Sequence, residues 1–292
     1  MDAERTDTAS DEVQIDHVTI AGSDLDRLEA AFESVGIDPD YGGSHDEMPT
    51  HMSIVGFDDT TYIELIAKDE VGTAPLWNDA IESNAGPCAW AARSSDIARD
   101  ASRLDAAGVP VDGPDDYSRE RPDGQLCRWK LAFLGAGEPG SVLPFLIEDE
   151  TPLERRVQPT PSAAAAGVVG IDSVVIAVAD LETSVSTFRT AFEGADPTSR
   201  SVSSGPFAGS VASFPDLPVH LVEPTAGGPL SERLDTIGDS PCAFVLEASS
   251  LETVREHVGE LERQPLGAES ISVIDPDAIG GLEYLCVSAS ES

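Results

Sequence analysis

The sequence predicts an α+β protein that repeats one βαβββ unit four times, in two halves of two units each. The length of 292 residues is typical of about two domains, and a hydrophobic fraction of 40% is sufficient to form their cores. The stretch Ile15–Ala21 recurs at 171–177, a shift of 156 residues. Within the first half, 89–92 followed by 95–97 repeats the pattern that begins at His17, a shift of 72 residues. Repeats at a fixed spacing indicate repeated structural units.

These repeats set the predicted domain boundaries. We predict a flexible acidic N-terminus over 1–14, a first domain over 15–157 with units at 15–72 and 86–150, and a second domain over 168–292. The segment 158–167 (QPTPSAAAAG) between them is predicted to be a linker.

Each unit is predicted to begin with a short apolar strand and to continue with a capped amphipathic helix. An Asp or Ser before each apolar-periodic segment can accept a hydrogen bond from a backbone N–H of the first turn. The predicted helices are 25–35 after Asp24, 97–107 after Asp96, 181–192 after Asp180 and 251–263 after Ser250.

Short alternating runs, broken by Gly, Pro and Asp, follow each helix and predict about three further strands per unit. The clearest runs are 52–57 and 62–67, which are joined across Asp58-Asp59-Thr60. The last strand of the second unit is predicted at 143–147.

The charge excludes two classes of partner. The chain has 54 acidic residues against 17 Lys and Arg, a net charge of −37, so nucleic acid and anionic membrane surfaces would be repelled. Lys68 and Lys130 are the only lysines. Acidic residues spread along the chain with almost no lysine are typical of a protein from a high-salt cytoplasm, where salt screens the self-repulsion.

Cysteine content and the N-terminal composition favour an intracellular protein. Cys88, Cys127, Cys242 and Cys286 include no C-x-x-C pair, so neither a disulfide framework nor a zinc–thiolate site is expected. Cys88 and Cys242 are predicted to act as small buried hydrophobic residues. Residues 1–14 lack the features of a secretory signal, and no apolar run is long enough to span a membrane. We expect a soluble cytoplasmic protein.

Several spaced motifs follow one another in the first half. They are Ile15-Asp16-His17-Val18, Gly42-Gly43-Ser44-His45, Thr50-His51, Tyr62-Ile63-Glu64-Leu65-Ile66, Arg121-Pro122-Asp123-Gly124 and Trp129-Lys130-Leu131-Ala132. In this order they resemble the glyoxalase-like domain family of the vicinal oxygen chelate superfamily, which includes glyoxalase I, extradiol dioxygenases and bleomycin-resistance proteins. The resemblance implies paired βαβββ units whose curved mixed sheets enclose a cavity. The second half keeps the repeat but has lost most of these motifs, and is predicted to be a degenerate copy.

The resemblance also implies metal ligands: a His on the first strand and a Glu on the last strand of each unit. In this sequence those positions are His17 and Glu64, and His51 is a candidate third ligand. The two-residue period of a strand puts Ile15, His17 and Thr19 on one face. The nitrogen and oxygen ligands suit Zn, Mn, Fe, Co or Ni. The positions equivalent to His17 are Ala89, Ser173 and Ala243, and the acidic residues nearest to an equivalent of Glu64 in the second half are Glu223 and Glu283.

Each candidate has a structural alternative. His17 and Glu64 also suit a hydrogen-bonded core pair, and His51 a loop contact. Arg121, Trp129, His45 and Tyr62 are predicted to bind the ligand, with Arg121 gripping a carboxylate and Trp129 covering an apolar body. Trp129 also suits the core. The pair Gly42-Gly43 suits either a tight turn or a loop that flexes over a ligand.

Two functions remain open from the sequence. The first is a metal-dependent lyase, isomerase or dioxygenase that acts on a small oxygenated metabolite in the first-half cavity. The second is a metal-free small-molecule binding or resistance-type protein without catalysis and without a cofactor. Both expect a small-molecule ligand and a monomer or homodimer. The sequence identifies no catalytic base.

Overall fold

Two eight-stranded mixed sheets, one from each half of the chain, form the framework of the protein. The computed structural model describes residues 13–45, 49–69, 76–281 and 285–289. Residues 1–12 of the predicted acidic N-terminus and Glu283 lie outside the described residues.

The first half contributes eight strands and four helices. The strands are β1 (Ile15–Ala21), β2 (Asp40–Ser44), β3 (Thr50–Gly56), β4 (Tyr62–Lys68), β5 (Gly86–Arg93), β6 (Val111–Glu120), β7 (Leu126–Leu134) and β8 (Phe145–Asp149). The helices are α1 (Leu25–Glu33), α2 (Asn78–Glu82), α3 (Ile97–Ala107) and α4 (Leu153–Arg156).

The second half follows the same plan. Its strands are β9 (Val168–Ala177), β10 (Thr198–Val202), β11 (Gly209–Ser213), β12 (Val219–Pro224), β13 (Ser240–Ala248), β14 (Leu261–Leu266), β15 (Glu269–Ile274) and β16 (Leu285–Ala289). Its helices are α5 (Pro161–Ala165), α6 (Leu181–Ala191), α7 (Pro229–Ile237), α8 (Leu251–Val258) and a short 3-10 helix (Pro276–Ile279). Helix α5 lies in the segment predicted to be the linker.

The strand orders confirm the four-unit α+β prediction. The first sheet runs β2-β3-β4-β1-β5-β8-β7-β6, and the second runs β10-β11-β12-β9-β13-β16-β15-β14. In each sheet the first strands of two units pair antiparallel at the centre, as β1 with β5 and β9 with β13. Each first strand also pairs parallel with the last strand of its own unit. Each sheet is therefore made from two whole units.

The predicted helix caps are all present. The side chains of Asp24, Asp96, Asp180 and Ser250 each accept a hydrogen bond from a backbone N–H of the following turn. The last helix was predicted to extend to residue 263, but it ends at Val258 because Gly259 has a φ of +78°. Arg263 belongs to β14 instead.

One face of each sheet packs on the helices, and the helix-side residues of both halves form a single apolar cluster. Val18 of β1, Phe32 of α1, Ile176 of β9 and Phe244 of β13 all belong to it. The opposite faces carry separate apolar clusters, one in each half. The cavity described below lies on that opposite face of the first sheet.

A bulge in β1 changes one predicted face. Residue Asp16 is extra in the pairing with β5, since Ile15 lies opposite Ala92 and His17 lies opposite Ala91. Ile15 therefore packs in the helix-side cluster. The two-residue period had predicted that Ile15 and His17 share a face, and this prediction was wrong. The same bulge buries the carboxylate of Asp16 completely.

All four cysteines are buried free thiols, as was predicted for Cys88 and Cys242. Over the described part of the chain, every helix is too short or too polar to cross a membrane.

Candidate functional site

A cavity opens on the face of the first sheet that points away from α1 and α3. Its volume is about 580 Å³, open solvent at its mouth included. The cavity is narrow and suits a small molecule. Its walls are His17, His45, Met52, Tyr62, Glu64, Trp77, Tyr117, Ser118, Arg119, Trp129, Leu131, Phe145, Ile147 and Arg156.

His17 presents one ring nitrogen to this cavity. Its Nδ1 lies 2.7 Å from Oδ1 of Asp16, so Nδ1 donates to the carboxylate and Nε2 is the acceptor atom of the ring. The imidazole stacks on Tyr62 with ring centres 4.6 Å apart, and the ring of Phe145 meets it edge-on at 5.3 Å. These contacts fix the orientation of the imidazole in the wall.

Glu64 is a buried carboxylate with partners on both oxygens. Oε1 lies 3.5 Å from Nε2 of His45, and Oε2 accepts a hydrogen bond of 3.3 Å from the hydroxyl of Thr19. Burial raises the pKa of Glu64, but the hydrogen bond from His45 and the electrostatic interactions with His45, His17 and Arg119 outweigh it, so the pKa falls to about 2. Glu64 is therefore ionised at neutral pH.

An ion cluster around Arg156 forms the base of the cavity. The guanidinium donates to both oxygens of Asp16 at 2.8 and 2.9 Å, to both oxygens of Asp149 at 2.7 and 2.8 Å, and to the hydroxyl of Tyr62 at 2.7 Å. Arg93 also donates to Asp16, at 2.9 Å. Although burial raises the pKa of Asp16, the charge of Arg156 and the hydrogen bonds from His17 and Arg156 hold it well below the usual value. The cluster is saturated by its own members.

Arg119 has different partners. Its side chain is 1% exposed, and it donates to the carbonyl oxygens of Gly42 at 2.9 Å and Arg156 at 3.2 Å and to the sulfur of Met52 at 3.5 Å. Its Nε is buried without a hydrogen-bond partner. Burial lowers the pKa of Arg119. The guanidinium is thus a buried cation held by neutral groups.

The second unit does not repeat the two positions that were predicted to bind a metal ion in the first unit. In β1–β4 pairing Thr19 lies opposite Glu64, and in β5–β8 pairing Ala91, the counterpart of Thr19, lies opposite Phe145. The second unit therefore supplies Ala89 and Phe145 where the first supplies His17 and Glu64. Among the described residues no group of three or more His, Cys, Asp or Glu is placed to hold a metal ion. His17, Glu64 and the neighbouring His45 line one cavity, but they are not placed as a group that fits the expected ion.

Among its described residues, the second half does not repeat this site. His220 lies opposite Val175, the counterpart of Thr19, so His220 and not Glu223 takes the position of Glu64. Glu223 instead accepts a hydrogen bond from the backbone of Leu181 at 3.1 Å. Burial lowers the pKa of His220 to about 4. An apolar cluster that includes the fully buried Phe207 covers this face of the second sheet.

Five of the seven predicted site residues meet in the first-half cavity: His17, His45, Tyr62, Glu64 and Trp129. His51 does not line it. Its neighbour Met52 does, so the ring of His51 lies on the other face of β3, where its Nδ1 is 3.9 Å from Asp69. Arg121 also lies elsewhere, in an outer groove, where it donates to the carbonyl oxygen of Arg155 at 2.9 Å.

Sequence reasoning missed Asp16, Arg119 and Arg156. Asp16 has a local signal, because an acidic residue directly beside His17 in an apolar strand must either break the alternation or cause a bulge. Arg119 precedes Arg121 by two residues, so the two-residue period of a strand would put both on one face. This spacing is also visible in the sequence. Arg156 is 140 residues from Asp16, and no local pattern predicts that contact.

Comparisons with known proteins agree with this fold. A family model described as Glyoxalase-like domain matches residues 15–192. A hypothetical protein from Staphylococcus aureus superposes with a TM-score of 0.58 and 13% identity, over 95% of this chain and 99% of the other. A mutant 4-hydroxymandelate synthase from Streptomyces coelicolor gives 0.59 and 14%, over 87% and 77% of the two chains. The Mn(II)-bound glyoxalase from Novosphingobium aromaticivorans gives 0.54 and 13%, over 96% and 82%. No curated protein matches the chain.

Proposed function

Because the chain belongs to the glyoxalase-like domain family of the vicinal oxygen chelate superfamily, we propose that its first-half cavity binds a small oxygenated organic molecule without a resident metal ion. The observation that carries the proposal is the convergence of His17, His45 and Glu64 in one narrow cavity with aromatic walls. Small-molecule sites in proteins combine mostly apolar walls with a few polar groups that fix orientation.

The polar groups have defined roles in this proposal. Nε2 of His17 accepts a hydrogen bond from a ligand hydroxyl, since Nδ1 is committed to Asp16. The carboxylate of Glu64, on the neighbouring strand β4, accepts a hydrogen bond from a second hydroxyl of the ligand. Two adjacent oxygens of the ligand are thus bound by side chains of the two adjacent strands β1 and β4. In the alternative function a metal ion would bind these two oxygens instead.

The metal-free form of the proposal is supported by Ala89 and Phe145. Neither side chain can ligate an ion, and the ring of Phe145 lies 5.3 Å from the ring of His17. The competing function, a metal-dependent lyase, isomerase or dioxygenase, is favoured by one structural neighbour, the Mn(II)-bound glyoxalase. It needs a third ligand besides His17 and Glu64, a role that would fall to His45 in the same cavity.

Metal analysis and ligand-induced stabilisation test the proposal together. Protein purified without chelators is expected to contain less than about 0.1 equivalent of Zn, Mn, Fe, Co or Ni. Thermal unfolding is then measured with a panel of small hydroxy acids, oxo acids and catechols; a ligand at about 100 times its Kd raises the unfolding free energy by about 2.7 kcal/mol.

His17→Ala should abolish this stabilisation, and the matched control His51→Ala, on the other face of β3, should retain it. Stoichiometric metal that is lost in both His17→Ala and Glu64→Ala would refute the metal-free proposal and establish the metal-dependent alternative.

A further inference from the structure

We infer that the ligand of the first-half cavity is a carboxylate with a flat apolar body, and that Arg119 is the residue that binds its carboxylate group. This inference rests on the proposed function and specifies its ligand class. It is carried by the partners of Arg119, by the close approach of Gly42 and by the composition of the cavity walls.

The two buried arginines of the cavity differ in what satisfies them. Arg156 is matched by Asp16 and Asp149 through four hydrogen bonds. Among the described residues, no carboxylate oxygen lies within 4.0 Å of the Arg119 guanidinium, and its Nε has no partner. A buried cation without an anionic partner is costly, and a bound carboxylate provides the missing charge. Arg119 is therefore the cation that a ligand anion would meet.

The position of Arg119 is fixed by its surroundings. A methyl group at Gly42 would collide with Nη1 of Arg119 and lie 3.0 Å from the terminal methyl of Met52. The backbone of β2 is thus packed directly against the guanidinium, and its carbonyl oxygen accepts from the same nitrogen. This explains the glycine at 42 by close approach. A guanidinium held in this way is preorganised for a planar carboxylate.

The remaining walls describe the rest of the ligand. Tyr62, Trp129 and Phe145 are buried aromatic residues that line the same cavity. Aromatic walls suit a flat ring or a planar conjugated chain, which can stack against them. Glu64 is the one carboxylate among the described lining residues, and its Oε1 lies 3.5 Å from Nε2 of His45. The anionic end of the ligand is therefore expected at Arg119, whose Nε has no hydrogen-bond partner.

Benzoate and benzamide are the probes for this inference, because they have nearly the same size and shape and differ in charge. Their affinities are measured by calorimetry for the wild-type protein and for Arg119→Gln, at one fixed salt concentration. We expect benzoate to bind the wild type at least about tenfold more tightly than benzamide, and Arg119→Gln to abolish that preference. The matched control is Arg121→Gln, which removes a guanidinium from the outer groove and should retain the preference.

Arg119→Gln must be shown to be folded by circular dichroism. Should it unfold, Gly42→Ala replaces it, since the added methyl displaces Nη1 while the charge remains; it should reduce the benzoate preference. Equal binding of the two probes to the wild type, or an undiminished preference in both variants, would overturn the inference and leave the proposed function standing. Binding of neither probe would overturn the inference too, and the panel of hydroxy acids, oxo acids and catechols then decides the proposed function separately.

Discussion

Replacing Arg156 by methionine is expected to lower the stability of the protein severely. Arg156 donates five hydrogen bonds, to Asp16, Asp149 and Tyr62, and its side chain is 3% exposed. Removing one partner of a buried ion pair costs about 3–5 kcal/mol, because the other charge is left without compensation. Arg93 still donates to Asp16 at 2.9 Å, so we expect a loss of about 3 kcal/mol.

The loss should depend on pH. In the wild type the pKa of Asp16 is well below its usual value, so its ionisation contributes stability above the unfolded-state pKa that is lost only as pH falls through the folded-state pKa. Without Arg156, burial dominates and raises that pKa. The unfolding free energies of wild type and Arg156→Met are therefore expected to converge as pH falls below about 4.

Urea unfolding followed by tryptophan fluorescence measures this effect, since urea is uncharged and leaves the ionic strength constant. Arg189→Met is the control: Arg189 pairs with Asp196 at 2.8 Å, but both side chains are exposed, and the loss should be about 1 kcal/mol or less. Asp16→Asn combined with Arg156→Met should lose less than the sum of the two single variants. A loss within 1 kcal/mol of the Arg189→Met value would show that the cluster does not hold the base of the cavity together.

Three further predictions concern charge. The midpoint of thermal unfolding should rise between about 0.1 and 2 M KCl, because salt screens the net charge of −37; a flat response, with sucrose as the uncharged control, would contradict the proposed adaptation to high salt. The pKa of Glu64 is lowered from 4.5 to about 2, so the contribution of Glu64 to stability is lost as pH falls through that interval. Glu64→Gln should therefore flatten the acid side of the curve of unfolding free energy against pH, and an unchanged curve would contradict the assignment of this loss to Glu64. Burial lowers the pKa of His220 from 6.5 to about 4, so the unfolded chain binds a proton in that interval that the folded chain does not. The unfolding free energy of the wild type should therefore fall by about 3 kcal/mol across the interval, and the same loss in His220→Gln would show that another group is responsible.

Much of the fold follows from local patterns in the sequence. The caps Asp24, Asp96, Asp180 and Ser250 were predicted correctly because a capping side chain bonds to the turn directly after it. Repeats at shifts of 72 and 156 residues were sufficient to predict four units, since each unit has the same local order of elements. The two-residue period of a strand puts Tyr62 and Glu64 on one face of β4, and both line the cavity.

The composition of the site was decided by tertiary structure. The bulge at Asp16 arises where β1 pairs with β5, and it sets which side of the strand Ile15 and Asp16 occupy. The choice between Arg119 and Arg121 depends on where β6 ends, and the contact of Arg156 with Asp16 spans 140 residues.

The sequence by itself determined the four-unit plan and the two halves, because periodicity and capping act over a few residues. Only the tertiary structure decided that Phe145 takes the position equivalent to that of Glu64, and that Arg119 is the cavity cation without a carboxylate partner. These facts depend on the register between strands that are far apart in the chain, and hydrogen bonds across the sheet fix that register.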